Sequence, residues 1–73
     1  MQECIIETEF IKLDQLLKLA SIAQTGGHAK MMIQENLVKL NGEVCTQRGR
    51  KIRDQDIIEV EDFGEIIVKS TYL

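Results

Sequence analysis

Several residue types are missing or scarce in this chain of 73 residues. It contains no proline and no tryptophan, and its aromatic residues are Phe10, Phe63 and Tyr72. So few aromatic side chains argue against a protein that binds nucleic acid by stacking many bases on an aromatic surface. No apolar run approaches the roughly 20 residues needed to cross a bilayer, and residues 1–3 lack the basic start of a secretory signal. We therefore expect a cytoplasmic protein.

Residues that bind metals or act as nucleophiles are also scarce. Cys4 and Cys45 form no Cys-x-x-Cys pair, and His28 is the single histidine, so a zinc site is not expected. Two reduced, buried thiols are the first interpretation; a disulfide between them and a redox or metal role are the alternatives. His28 has no nucleophile near it in the sequence. We expect no catalytic residue, no cofactor and no enzymatic activity.

Positive charge is concentrated in the middle of a chain whose formal net charge is −3. Residues 12–53 hold eight of the nine basic residues and three acidic ones, which gives this segment a net charge of +5. Residues 1–11 sum to −3 and residues 54–73 to −5. Because phosphate ligands respond to the local field, the basic segment says more about the partner than the average charge does.

The apolar pattern predicts one α+β domain over residues 1–73, with two helices packed on a small, mainly antiparallel sheet. Residues 3–8 are typical of a strand. The first helix begins around Asp14, which would act as an N-cap or as a first-turn acid, and ends near Ala23. A second helix is predicted over residues 27–36. Together with the strands of the second half, these elements give the order β-α-α-β-β-β-β.

The second half of the chain reads as a hairpin followed by two strands. Asn41-Gly42 lies between two apolar runs, which is the strongest short hairpin signal in the sequence. The returning strand is predicted at residues 44–46 and a basic loop at 47–53. Two further strands are predicted at residues 57–60 and 66–68.

These motifs together resemble the S4 RNA-binding domain, also described as the alpha-L RNA-binding motif. Lys12-Leu13-Asp14 is similar to the Arg-Leu-Asp that opens the family's first helix. Residues 25–33 resemble its second helix, Ser-Arg-x-x-Ala-x-x-x-Ile, and residues 38–42 its Val-x-Val-Asn-Gly turn. Residues 54–58 resemble its Gly-Asp-x-Ile ending. The resemblance runs from about residue 10 to residue 60 and implies an S4-like fold that binds RNA.

Two positions depart from the family pattern. Gly26 stands where many members carry an arginine, which removes one RNA contact that the resemblance would otherwise imply. Gln55 replaces a usual glycine. The Thr-Gly-Gly-x-Ala-Lys version of the second helix is similar to that of small stand-alone bacterial members, the YaaA-like group, for which general RNA binding is usually proposed.

The candidate RNA-binding residues bring positive charge, polar groups or exposed N–H groups to the surface of the helices and the hairpin. They are Lys12, Thr25, Gly26, Gly27, His28, Lys30, Lys39, Gln47, Arg48, Arg50 and Lys51. Two glycines at a helix start leave N–H groups open to a phosphate; a turn with one glycine in a left-handed conformation is the alternative. The arginines can pair bidentately with phosphate, although a solvated basic loop and a solvated surface lysine on the second helix are the alternatives. Asn41 is expected to serve the turn rather than the ligand.

The sequence thus predicts a non-catalytic, monomeric protein that grips the phosphate backbone of structured RNA, such as ribosomal RNA or tRNA. The alternative is a protein-interaction adaptor on the same scaffold, associated with the ribosome. In that case the acidic ends or the exposed apolar residues would engage a protein.

Overall fold

The computed structural model describes residues 1–72 as two helices and seven strands. The helices are α1 (Leu13–Leu19) and α2 (Gly26–Gln34). The strands are β1 (Gln2–Ile6), β2 (Phe10–Lys12), β3 (Val38–Leu40), β4 (Glu43–Val44), β5 (Lys51–Arg53), β6 (Ile57–Val60) and β7 (Gly64–Ser70). The predicted α+β class, two helices on a mainly antiparallel sheet, is confirmed.

Five strands form the main sheet in the order β1-β7-β6-β3-β4. Neighbouring strands are antiparallel except β1 and β7, the first and last strands of the chain, which run parallel. A second sheet consists of β2 and β5 alone. The predicted order lacked these two strands, and residues 47–53 were expected to be a loop throughout. Ile52 gives the physical reason for the difference: it is fully buried opposite Ile11, so its segment pairs as a strand.

The first helix is shorter than predicted because Ser21 adopts a left-handed conformation with φ of 61°. The N–H groups of Ile22 and Ala23 both donate to the carbonyl of Leu17, at 2.9 and 3.0 Å. The chain therefore wraps back on α1, and residues 22 and 23 enter the core without being helical. Similarly, α2 ends at Gln34 and Asn36 has a φ of 62°.

One hydrophobic core lies between the helices and one face of the main sheet, its inner face. The buried helical residues have the predicted spacing: Leu13, Leu16 and Leu17 on α1, and Ala29, Met32 and Ile33 on α2. Alternate residues of the strands supply the other side of the core: Cys4, Ile6, Val38, Leu40, Ile58, Val60, Ile66 and Val68. Each large side chain buried in this way contributes roughly 1.5–3 kcal/mol.

The predicted hairpin is confirmed between β3 and β4. Asn41 and Gly42 have positive φ values of 51° and 90°, as a two-residue hairpin loop requires. The Asn41 side chain also accepts a hydrogen bond from the Ile57 N–H (2.9 Å) and donates one to Asp56 Oδ1 (3.1 Å). Its expected structural role is thus confirmed. The returning strand is only Glu43–Val44, so Cys45 and Thr46 lie beyond it.

Both cysteines are free and buried, so the disulfide alternative is wrong. Burial raises the pKa of the Cys4 thiol. Both side chains instead belong to the hydrophobic core.

Candidate nucleic-acid interface

A basic turn at residues 47–50 is attached directly to the first turn of α1. The Leu13 N–H donates to the Arg50 carbonyl (2.9 Å) and the Asp14 N–H to the Arg48 carbonyl (3.1 Å). The first N–H groups of a helix have no partner within it, and Lys12, at the N-cap, supplies no side-chain bond. The turn therefore caps the helix with its own carbonyls, and this fixes both arginines at the start of α1.

Asp14 holds one of these arginines in place. Its side chain is buried, with 6% of the residue exposed, and it lies in the first turn of α1 rather than at the N-cap. Oδ1 accepts from the Gln15 N–H (2.8 Å) and Oδ2 from Arg48 Nε (3.1 Å). Arg48 is itself half exposed, and its terminal guanidinium nitrogens make no hydrogen bond within residues 1–72. A guanidinium held through Nε presents its outer edge to solvent, where a phosphate can bind bidentately.

The β2–β5 ribbon carries further positive charge beside this turn. Lys12 lies directly opposite Lys51, and Phe10 lies opposite Arg53. The Lys51 ammonium is 4.8 Å and the Arg53 guanidinium 5.5 Å from the centre of the Phe10 ring. Like charges placed opposite each other oppose pairing, and contacts with an aromatic face offset part of that cost. Phe10 and Arg53 were not among the predicted site residues. The alternation of charged and apolar residues in Lys-Ile-Arg at residues 51–53 was the one local signal that could have indicated a strand here.

The start of α2 presents a second group. Thr25 is the N-cap, and its Oγ1 accepts from the His28 N–H at 3.0 Å. Gly26 and Gly27 form the first helical positions, and neither has a positive φ, so the left-handed turn alternative is wrong. No atom lies within 4 Å of where a Cβ of Gly26 would be. Their N–H groups have no acceptor within residues 1–72.

His28 is partly buried rather than fully exposed. Its Nδ1 accepts a hydrogen bond from the Gln24 N–H at 3.3 Å, which fixes the ring beside the helix start. Lys30 is exposed on α2, away from the buried Ala29 and Ile33. Along the chain, α1, about 10 Å long at 1.5 Å per residue, and residues 20–25 lie between its start at the basic turn and this second group.

Gln47 and Arg50 line an open groove of about 450 Å³ between the basic turn and the β3–β4 hairpin. The remaining lining residues are Leu40, Asn41, Glu43, Val44, Cys45 and Thr46. Amide, hydroxyl and guanidinium groups thus face the same space, next to the cations that would bind phosphate.

Lys39 is placed differently from the other predicted residues. It points away from the core on β3, as its alternation with Val38 and Leu40 predicted, but it lies directly opposite Glu59 of β6. No contact within residues 1–72 joins it to the basic turn. Acidic residues also enter the basic region, since Glu9 accepts from Arg53 Nη1 at 3.4 Å.

Within residues 1–72, no group of three or more histidine, cysteine, aspartate or glutamate side chains is placed to hold a metal ion. No helix in this part of the chain is long and apolar enough to span a membrane.

The fold and the motifs define an S4 domain. The S4 domain family matches residues 4–69, and the chain belongs to this family. The resemblance found in the sequence is thereby confirmed. Among proteins of known name, the chain is similar to the "Probable ribosome maturation protein RlbA" of Bacillus subtilis (strain 168). The two are 46% identical over 63 residues, which cover 86% of this chain and 89% of the relative. The shared region thus makes up most of the relative's length.

Proposed function

We propose that this protein is a non-catalytic RNA-binding protein that grips the phosphate backbone of structured RNA. The observation that carries the proposal is the basic turn bonded to the start of α1, with Arg48 held by the buried Asp14. Such an arrangement orients cations before the ligand arrives, which reduces the ordering cost of binding. The open helix start at Gly26 and Gly27 supplies N–H donors for a second phosphate contact.

Recognition of this kind depends on phosphate positions rather than on base identity. Phe10, on the β2–β5 ribbon, is in contact with Lys51 and Arg53, and the chain contains few aromatic residues on which bases can stack. About four to six phosphate contacts are expected. They give a slope of about −3 to −5 for the logarithm of the binding constant against the logarithm of salt concentration.

A pair of charge-matched variants tests the proposal. Arg50→Gln with Lys51→Gln removes two cations of the interface, whereas Lys18→Gln with Lys69→Gln makes the same change in net charge elsewhere. With a structured ribosomal RNA fragment, we expect the first variant to lose roughly tenfold in affinity at low salt and to flatten the salt slope by about 2. The control should keep the wild-type slope. Equal losses in both variants would show that only net charge matters, and duplex DNA bound as tightly as RNA would contradict recognition of RNA structure.

The relative's name connects it with ribosome maturation. We propose that ribosomal RNA, rather than tRNA, is the partner here, in the cytoplasm, and that the protein acts as a monomeric single domain and not as an enzyme. Sedimentation of the protein with ribosomal particles, lost in the Arg50→Gln, Lys51→Gln variant, is the expected result. Sedimentation that survives that variant and ribonuclease treatment would favour the adaptor alternative.

A further inference from the structure

The outer face of the main sheet, opposite the helices, carries an apolar patch. Both helices pack on the inner face, with the buried alternate residues of the strands. Ile57 of β6 lies directly opposite Ile67 of β7, and Ile5 of β1 lies on the same face, one row along. Ile57 and Ile67 are partly buried, whereas Ile5 is 63% exposed. An isoleucine this exposed in the middle of a strand contributes little to the core.

Carboxylates surround this patch. Glu3 lies opposite Ile67, and Glu59 lies opposite Glu65, with all three side chains exposed. Two like charges directly opposite each other in an antiparallel pair weaken the sheet. Folding alone therefore gives no reason for Glu59 and Glu65 to face each other.

Two lysines share the face, and each lies near a carboxylate of its own. Lys39 is opposite Glu59. Lys69 lies directly opposite Ile5, and the N–H of its neighbour Ser70 donates to Asp54 Oδ1 (2.7 Å), so this lysine lies beside the patch and close to the Asp54 carboxylate. Glu3 and Glu65 face no lysine in the strand register. The patch thus has a negative rim.

The strand next to the patch also has a free side. β1 ends the sheet order, with β7 on one side and no strand on the other within residues 1–72. Gln2–Ile6 contains neither proline nor lysine, residues that block pairing at sheet edges. An extended segment can add to such an edge through main-chain hydrogen bonds, with alternate side chains reaching the outer face.

We propose that this outer face, at the β1 edge, binds an extended protein segment in which lysine or arginine alternates with apolar residues. The charge on the face selects this occupant. RNA is disfavoured by Glu3 and Glu65, which face no lysine, and a second copy of the chain would place the same carboxylates against each other. The apolar residues of a basic segment can pack on the isoleucines, and its lysine or arginine side chains can pair with the carboxylates of the rim. The proposal does not depend on RNA binding by the basic turn.

Amide chemical-shift mapping with defined peptides tests this directly. The probe is a capped ten-residue peptide of alternating lysine and valine; its controls replace valine with serine or lysine with glutamate. We expect shifts centred on Ile5, Ile57 and Ile67 with the lysine–valine peptide, at least fivefold weaker binding of the lysine–serine peptide, and no binding of the glutamate–valine peptide. Equal binding of the lysine–serine peptide, or shifts that fall elsewhere, would overturn the proposal.

Two variants locate the site. Ile5→Lys should weaken binding of the lysine–valine peptide at least tenfold, whereas Leu19→Lys, at a comparably exposed residue on α1, should not. Glu65→Gln should weaken binding about two- to threefold at low salt and also raise Tm by about 1–2 °C, because it relieves the repulsion with Glu59. Unchanged peptide affinity in Ile5→Lys sinks the proposal. Chemical shifts at these isoleucines that change with RNA or on self-association, but not with the peptide, would also overturn the proposal.

Discussion

Asp14 is the one charged residue buried within residues 1–72, and it acts on the interface through Arg48. We regard it as a positioning residue, because it accepts from Arg48 Nε and leaves the outer edge of the guanidinium to the ligand. Its bond to the Gln15 N–H also fixes the carboxylate at the start of α1.

Asp14→Asn removes the charge of this pair while keeping the shape of the side chain. We expect a loss of about 1–2 kcal/mol in the free energy of unfolding, because Arg48 is half exposed and the pair is only partly desolvated. RNA affinity should fall as well. Urea unfolding and RNA titration of Asp14→Asn, Arg48→Gln and the double variant give the coupling energy, expected to exceed about 0.5 kcal/mol. Additive effects in both measurements would contradict the positioning role.

The backbone conformation of Gln55 lowers the stability of the protein. Its φ of 73° is left-handed, a conformation that disfavours residues with a Cβ by roughly 1–2 kcal/mol. The family's usual glycine at this position fits that requirement, although the sequence pattern alone did not reveal it.

Gln55→Gly should therefore raise the free energy of unfolding by about 0.5–1 kcal/mol, since the relief of strain exceeds the added freedom of the unfolded chain. Gln55→Ala is the matched control; it shortens the side chain but keeps the Cβ. It should give no gain, and a similar gain in both variants would show that the Gln55 side chain, rather than the backbone, is unfavourable. Thermal and urea unfolding measure the difference.

At the level of elements, structure that depends on residues close in sequence was predicted well, whereas the pairing of distant segments was not. The Asn41-Gly42 hairpin and the helix faces depend on residues close in sequence, and each is confirmed. β2 and β5 pair across about 40 residues, are three residues long, and place one buried isoleucine, Ile52, between two cations. Nothing in the local pattern distinguishes that segment from a basic loop.

The same limit applies to the candidate site. Chain order grouped Lys39 with the other cations, but only the strand register shows that it faces Glu59. Conversely, the cluster of Lys51 and Arg53 on Phe10 depends on the unpredicted ribbon. Most basic residues proposed for the candidate site could be selected from the sequence, while the residues that they contact could not.

Asn41 connects two elements and gives a prediction at this scale. Its side-chain amide accepts a hydrogen bond from the Ile57 N–H and donates one to Asp56, and these bonds connect the β3–β4 hairpin to the start of β6. Asn41→Ala loses both bonds and places alanine at positive φ; we expect a loss of about 1–2 kcal/mol in stability. Asn41→Gly, which tolerates the φ, should lose less. RNA affinity measured under folding conditions should stay unchanged, and a loss there would assign Asn41 to the interface.

For the molecule as a whole, the candidate RNA-binding cations and the acidic patch lie on different elements of the fold. The basic turn lies where α1 begins, whereas the exposed carboxylates of β6 and β7 lie on the face of the main sheet opposite the helices. The same small core supports both regions. A domain of this size has only marginal stability, so loss of one large buried side chain removes a large share of it.

The two buried thiols allow the cooperativity of this core to be measured. Cys4 lies on the edge strand β1 and Cys45 just after β4, at opposite ends of the main sheet. Both thiols are buried, so labelling requires opening of the structure. If the parallel β1–β7 pair unfolds only with the whole domain, labelling of both cysteines should accelerate with urea at the slope of global unfolding. Mass spectrometry of Cys4→Ser and Cys45→Ser variants separates the two sites. Labelling of Cys4 that is fast and independent of urea would show instead that β1 detaches locally, leaving the rest of the domain folded.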